Sequence, residues 1–239
     1  AIEVFNWLQG RSTEKADLIL RNLGLSEEIT QKWKSISKNI LILQDKETGL
    51  FEQFEGYFNL VDVDLSQYHK RKKSIQNILG IEQTNKTQVI KQADIIMLLC
   101  LFRNQFNENT WRNNWNYYHR RTDHEFGSSL GPSFYAWAAC EMGKPDLAFE
   151  HFMRAAGSDL FDLRGNTDQG IHAASSGGLW QAIVFGFAGL TLQNNHLSVK
   201  PRLPSHWKRI KFKILYRGNC YEVDINQHKS KLNRIPMVN

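Results

Sequence analysis

The run GIHAASSGGLWQAIVFGFAGL, residues 170–190, decides how the rest of the chain is read. From about Ser175 to Leu190 it reads as the last of a series of helices, and it carries the apolar run WQAIVFGFAGL. After Gly189 the pattern changes to short alternating stretches of strand. At the head of the helix His172, Ser175 and Ser176 stand at i, i+3 and i+4, and they share one face if the helix begins beside them. Gly177 and Gly178 follow, and bare backbone there lets N–H groups come close to a ligand. Hydroxyls, an imidazole and backbone donors at a helix start suit an oxyanion, phosphate being the commonest. The same Gly-Gly pair also fits close helix packing, with His172 as a satisfied core residue. On the residues alone both readings stand.

Upstream, the chain reads as consecutive helices joined by short turns. STEKADLILRNLG opens at Ser12 and Thr13, spaces Ala16, Ile19, Leu20 and Leu23 helically and stops at Gly24. SEEITQKWKSISKNI repeats the plan with Ser26 as N-cap. Further helices are expected over 87–106, 108–120, 131–142 and 144–156, the last opening on Lys144-Pro145. Some are amphipathic and others apolar all round, which implies an inner buried layer inside an outer half-exposed one, the build of a toroid of helical hairpins. Downstream, KFKILYRGNCYEVDI places Phe212, Ile214 and Tyr216 on one face, then the turn RGN, then Tyr221, Val223 and Ile225. The predicted organisation is helices over 1–190, a small β-sheet domain over 191–226 and a disordered tail over 227–239, which shows no period. No internal repeat of fixed period is found.

Composition narrows the function classes. The 239 residues, 41% hydrophobic and 12% aromatic, suffice for a sizeable core. The longest apolar run, Ile95 to Phe102, is far short of the roughly 20 residues of a membrane-spanning helix. The N-terminus lacks the basic-then-apolar order of a signal peptide and also a starting methionine, so an upstream segment is expected to be missing. Cys100, Cys140 and Cys220 are widely spaced among apolar neighbours and read as reduced thiols of a cytoplasmic protein. The net charge of +6 gathers at HKRKK, 69–73, read as a solvated loop, and from Lys200 to Lys213, read as an exposed strand face. Neither pattern calls for nucleic acid.

Three further constellations could carry chemistry. Lys91 and Gln92 lie near the start of the helix placed at 87–106 and lack a clear solvent face, so they could donate to hydroxyls of a ligand over its mouth. The alternative is a helix-stabilising pair of Lys91 with Asp94. FEQFEGYF, 51–58, sets Glu52 and Glu55 among aromatic rings, a combination that sugar sites use and that loop packing also produces. RTDHEFGSSLG, 121–131, gathers Asp123, His124, Ser128 and Ser129 just before a helix. No metal set is read, because His119, His124 and His172 look too scattered. A serine nucleophile is not read either.

Taken in order, GLFEQFEGYFNL, NKTQVIKQADIIMLL, RTDHEFGSSLGPS, GNTDQGIHAASSGGLWQAIVFGFAGL and LSVKPRLPSHWKRIKFKILYRG resemble glycoside hydrolase family 65, the family of kojibiose, maltose, trehalose and nigerose phosphorylases. The resemblance covers nearly the whole chain. It implies a mainly α fold, part of an (α/α)6 barrel followed by a small C-terminal β-sheet domain. It further implies that Lys91 and Gln92 contact a glucosyl unit and that His172, Ser175, Ser176 and Gly177 bind phosphate. The reaction implied is phosphorolysis of an α-linked glucose disaccharide with inversion, giving β-glucose 1-phosphate and a free sugar. Inorganic phosphate is then a co-substrate, and no cofactor or metal is needed.

In an inverting glycosidase one carboxylic acid protonates the leaving oxygen and a second carboxylate activates water. Phosphate is already an anionic nucleophile, so an anion site replaces the second carboxylate. The family's general-acid glutamate falls upstream of this chain's first residue, and neither Glu3 nor Glu14 sits in a matching motif. The chain alone is therefore expected to be inactive, and its partners would be the disaccharide, phosphate and the upstream half of the enzyme, with a homodimer as the family's habit. The rival expectations are an α-glucoside hydrolase of the same family and a non-catalytic carbohydrate-binding remnant.

Overall fold

The computed structural model describes residues 2–11, 13–193 and 195–236. The chain divides into two compact units, residues 1–43 and 44–239. The first holds α1 (Ile2–Arg11), α2 (Thr13–Asn22) and α3 (Glu27–Asn39). Ser12, expected to open the second helix, lies outside the described residues. Gly24, at φ +61°, ends α2 in a Schellman motif: the N–H of Leu25 bonds the Leu20 carbonyl and that of Gly24 the Arg21 carbonyl. Ser26 caps α3, its hydroxyl accepting from the Ile29 N–H at 3.3 Å.

The second unit begins with irregular chain and the short helices α4 (Ile75–Leu79) and α5 (Ile81–Thr84), then α6 (Asp94–Leu101), α7 (Glu108–His119), α8 (Gly131–Glu141), α9 (Pro145–Leu160) and α10 (Ala173–Gln181). The last continues as a π-helix over Ala182–Phe187. Every residue of α8 from Gly131 to Cys140 is buried, whereas α7 and α9 bury only part of their surface. Helix α8 is thus innermost, with α6 and α10 packed on it as the rest of an inner layer and α7 and α9 in an outer one, part of an (α/α)6 barrel, although α10 itself buries only Ser175 and Gly178. The inner helices run the same way. Their C-terminal ends together line a cavity of about 360 Å³, with Leu101, Trp137 and Gln181 in its wall. Their N-terminal ends meet at the opposite end, described below.

The helix expected over 87–106 is only α6. Residues 87–90 run extended instead and 91–92 form a bend, because their backbone groups are taken by neighbours: the Gln88 N–H donates to Val61, the Ile90 N–H to Arg121, and the Ile90 carbonyl accepts from Asp123. β-branched Thr87, Val89 and Ile90 suit that conformation. Long-range pairing here overrides a helical period. Helix α9 runs past the expected end at 156 to Leu160, since buried Gly157 lets the Phe161 and Leu163 side chains fold back against it.

Five strands follow. β1 (Leu190–Gln193) pairs antiparallel with β2 (His196–Val199). β3 (Arg209–Tyr216), β4 (Asn219–Asn226) and β5 (Ser230–Ile235) make an antiparallel sheet in that order. Arg217 and Gly218, both with positive φ (50° and 71°), form the two-residue turn of the β3–β4 hairpin. The stretch expected as a disordered tail from 227 instead supplies β5, whose Leu232 faces Val223 across the sheet. An edge strand needs only one partner and one apolar residue on the inner face, so SKLNRI carries almost no periodic signal. Residues 237–239 lie outside the described residues.

Glu141, at the end of α8, ties the helices to the sheet segment: Arg103 donates to it at 3.1 Å and Arg202 at 2.7 Å, and Arg103 also donates to the carbonyls of Phe185 and Leu190. The thiols of Cys100, Cys140 and Cys220 are free. Among the described residues no helix is long and apolar enough to cross a membrane.

Candidate functional site

The N-terminal ends of the three inner helices are joined by one loop. The Ser128 N–H donates to the Lys91 carbonyl at 3.1 Å, and the buried Ser175 hydroxyl donates to the Ser129 carbonyl at 2.9 Å. Residues 128–130 therefore seat the head of α10 beside the approach to α6, with the head of α8 following directly. All six residues singled out by sequence lie at this end: Lys91, Gln92, His172, Ser175, Ser176 and Gly177.

Lys91 and Gln92 are exposed, in the bend just ahead of α6. They do not belong to the helix, which is why a helical wheel finds no solvent face for them. Asp94 is engaged by Gln53, whose amide donates to it at 2.8 Å, which answers the alternative of a pair with Lys91. The other amide atom, Gln53 Oε1, is buried without a hydrogen-bond partner. The 51–58 segment is thereby fixed against the mouth of α6, with Phe54 and Phe58 exposed and Tyr57 in the core, its hydroxyl donating to the Gln88 carbonyl. Of its two acids, Glu52 accepts from the Phe58 N–H and Glu55 is exposed.

At the head of α10 His172 is the residue before the helix and offers it no side-chain cap. Its ring and its backbone N–H both go to Asp159, Nδ1 at 2.5 Å from one carboxylate oxygen and N at 2.8 Å from the other. The His172 side-chain hydrogen bond, more than any other cause, holds the Asp159 carboxyl below the usual range. Sequence reasoning missed Asp159, because it sits at the far end of α9 with no motif of its own. The Ala173 N–H bonds Ile171 and the Ser176 N–H bonds His172, so Ala174 and Ser175 head the helix where N–H groups have no carbonyl one turn back. The Ser176 side chain is exposed and Ser175 is consumed by Ser129. Arg164 lies close by, donating to the Gly127 carbonyl at 2.8 Å. Two uncapped helix starts, Lys91 and Arg164 bring positive charge to this end, beside the carboxylates of Asp94 and Asp159.

The two glycines divide the two readings between them. A Cβ at Gly178 would lie 2.1 Å from Ser133 Oγ and 2.9 Å from its Cβ, so Gly178 is there to let α10 close on α8. A Cβ at Gly177 would meet nothing within 4 Å. Gly178→Ala is therefore expected to cost about 1–3 kcal/mol of stability in a urea melt. Gly177→Ala, in a helix interior, is expected to leave stability unchanged or raise it by up to about 1 kcal/mol. Equal losses in both variants would contradict this division.

Asp123 has a structural task. Its carboxylate accepts from Arg71, from the Ile75 N–H at 3.1 Å and from the Phe126 N–H at 2.9 Å. Arg71, expected in a solvated basic loop, has a side chain only 9% exposed, while Lys70, Lys72 and Lys73 are exposed as read. His119 and His124, which looked scattered, are brought together with His151 of α9 instead of with His172; one ring nitrogen from each of the three lies within 4.8 Å of the others. Burial pushes His124 down to about 3 and lowers His119 and His151 as well, so the rings are neutral.

Comparison with known proteins agrees with this architecture. Residues 4–181 match the glycosyl hydrolase family 65 central catalytic domain, and residues 190–236 the C-terminal domain of that family. The chain is 37% identical to kojibiose phosphorylase of Thermoanaerobacter brockii over 98% of this chain and 30% of that protein. It is 31% identical to nigerose phosphorylase of Lachnoclostridium phytofermentans over 99% of this chain and 32% of that one. A solved structure from the human microbiome, described as a proposed kojibiose phosphorylase, aligns with a TM-score of 0.83 at 32% identity, over 98% of this chain and 33% of the other. The chain thus spans about 30% of the length of the curated relatives it matches. With two successive domain matches covering most of its length, the chain belongs to glycoside hydrolase family 65.

Proposed function

We propose that this chain carries the phosphate cradle and part of the glucosyl subsite of an inverting phosphorylase, which turns an α-linked glucose disaccharide and inorganic phosphate into β-glucose 1-phosphate and a free sugar. The observation that carries the reading is the joining of the α10 head to the approach of α6 through Ser128 and Ser129. That joining supports the reading, because it brings the α10 head and Lys91–Gln92 side by side, as an in-line attack of phosphate on a glucosyl carbon would require. Phosphate takes the Ala174 and Ser175 N–H groups, the Ser176 hydroxyl and the free edge of His172, with Gly177 leaving the face bare. Ser175 acts by holding the helix head on the 128–130 loop, so its role is positioning. Lys91 and Gln92 donate to hydroxyls of the glucosyl unit. The general acid that protonates the leaving oxygen comes from a segment outside these 239 residues.

An anion cradle in place of a water-activating carboxylate favours phosphorolysis over hydrolysis. The kojibiose and nigerose phosphorylases among the relatives support an α-glucobiose as substrate. The three free thiols fit a cytoplasmic setting. The test is to incubate the purified chain with kojibiose and phosphate and assay β-glucose 1-phosphate. None is expected from this chain alone, and phosphate-dependent product is expected once an upstream segment bearing the acid is supplied. Product from the chain alone, or sugar release independent of phosphate, would overturn the reading.

A further inference from the structure

Away from the candidate site, three imidazoles converge under the outer layer: His119 at the end of α7, His124 in the loop after it and His151 in the middle of α9. His119 Nε2 and His151 Nε2 face each other at 3.3 Å. That separation matches the edge of a tetrahedron whose centre lies roughly 2.0–2.1 Å from each nitrogen, the Zn–N(His) distance. The third ring is prepared for the same centre. His124 Nε2 lies 2.8 Å from the His119 carbonyl, which can only accept, so Nε2 carries the proton. The Nδ1 lone pair is then bare, and Nδ1 is buried with no hydrogen-bond partner. A ligand ring whose far N–H is held by a backbone carbonyl is the usual arrangement around a bound metal.

We propose that His119, His124 and His151 form a binding site for a divalent transition-metal ion, zinc foremost. An all-imidazole set suits zinc, copper or nickel and excludes the oxygen-seeking magnesium and calcium. On binding, the widest separation, now within 4.8 Å, closes by about 1.4 Å through ring rotation to reach the tetrahedral edge. Arg154 and Lys144 add positive charge around the rings, so the fourth position takes an anion or hydroxide. The consequence is mechanical. The ion staples α7 and α9 to the loop that follows Asp123, and that loop leads straight into the 128–130 segment joining the candidate site. Without an ion the His119–His151 contact is a single hydrogen bond between neutral rings and His124 Nδ1 is left unsatisfied.

The test is a titration of the untagged, chelator-washed chain with Co2+, read by visible absorption, followed by Zn2+ displacement. One equivalent is expected to give the intense bands of a four-coordinate cobalt ion, lost in His124→Ala and in His151→Ala. Zinc is expected to raise the melting temperature of the wild type and to leave both variants unmoved. Should the variants fold poorly, long-range 1H–15N spectra of the wild-type chain decide the matter. Zinc should shift the nitrogens of His119, His124 and His151 and leave exposed His69, His196, His206 and His228 in place. Absence of stoichiometric binding, binding unchanged in both variants, or shifts confined to the exposed rings would overturn the proposal.

Discussion

Asp123→Ala is expected to destabilise the second unit by about 3–5 kcal/mol, the usual cost of removing one partner from a buried ion pair. The Asp123 and Arg71 side chains are 4% and 9% exposed, so the guanidinium left behind cannot recover its hydration. Glu125, the other acid within reach of Arg71, is 3.7 Å away and 41% exposed, too distant and too wet to replace it. The N–H of fully buried Ile75 loses its acceptor as well, and an unsatisfied buried donor costs about 1–3 kcal/mol by itself. Asp123→Asn keeps one acceptor oxygen and should cost less than the alanine variant. Urea unfolding followed by circular dichroism measures both. An Asp123→Ala chain as stable as the wild type would mean that the carboxylate belongs to ligand binding instead of to the loop's frame.

That distinction shows where sequence reading reaches and where it stops. Helices α7 and α8 were legible because their caps and apolar spacing are local: Asn107 caps the first and Pro132 opens the second. The extended 87–90 segment was not, since what decides it is pairing with Val61 and Arg121, far away in the chain. The head of α10 was legible as a place where hydroxyls, an imidazole and bare backbone meet. What each residue does there was not: Ser175 spends its hydroxyl on Ser129, Gly178 is a packing residue and Gly177 faces open space. His172 needed Asp159, and Asp123 needed Arg71, to show that one imidazole is held in place at the helix head and one carboxylate is structural. His151 gave no signal at all, because a lone histidine on an outer helix becomes part of a cluster only when α9 packs back against α7.

The second large effect concerns the proposed anion cradle. His172→Ala removes the ring that Asp159 anchors, and Ser176→Ala removes the exposed hydroxyl on the same turn, while neither side chain fills a core position. The double variant should therefore fold like the wild type and lose most of its affinity for a phosphate ion, because charge-assisted hydrogen bonds contribute about twice as much as neutral ones. Gly177→Ala should weaken binding in the same direction without a cost in stability, since its methyl group would stand on the bare face. Isothermal calorimetry of the folded chain against inorganic phosphate, wild type beside the His172→Ala, Ser176→Ala variant, tests this directly. Saturable binding that the double variant lacks is the predicted result, and a folded wild-type chain that binds no phosphate, or binds it no better than the variant, would contradict the account.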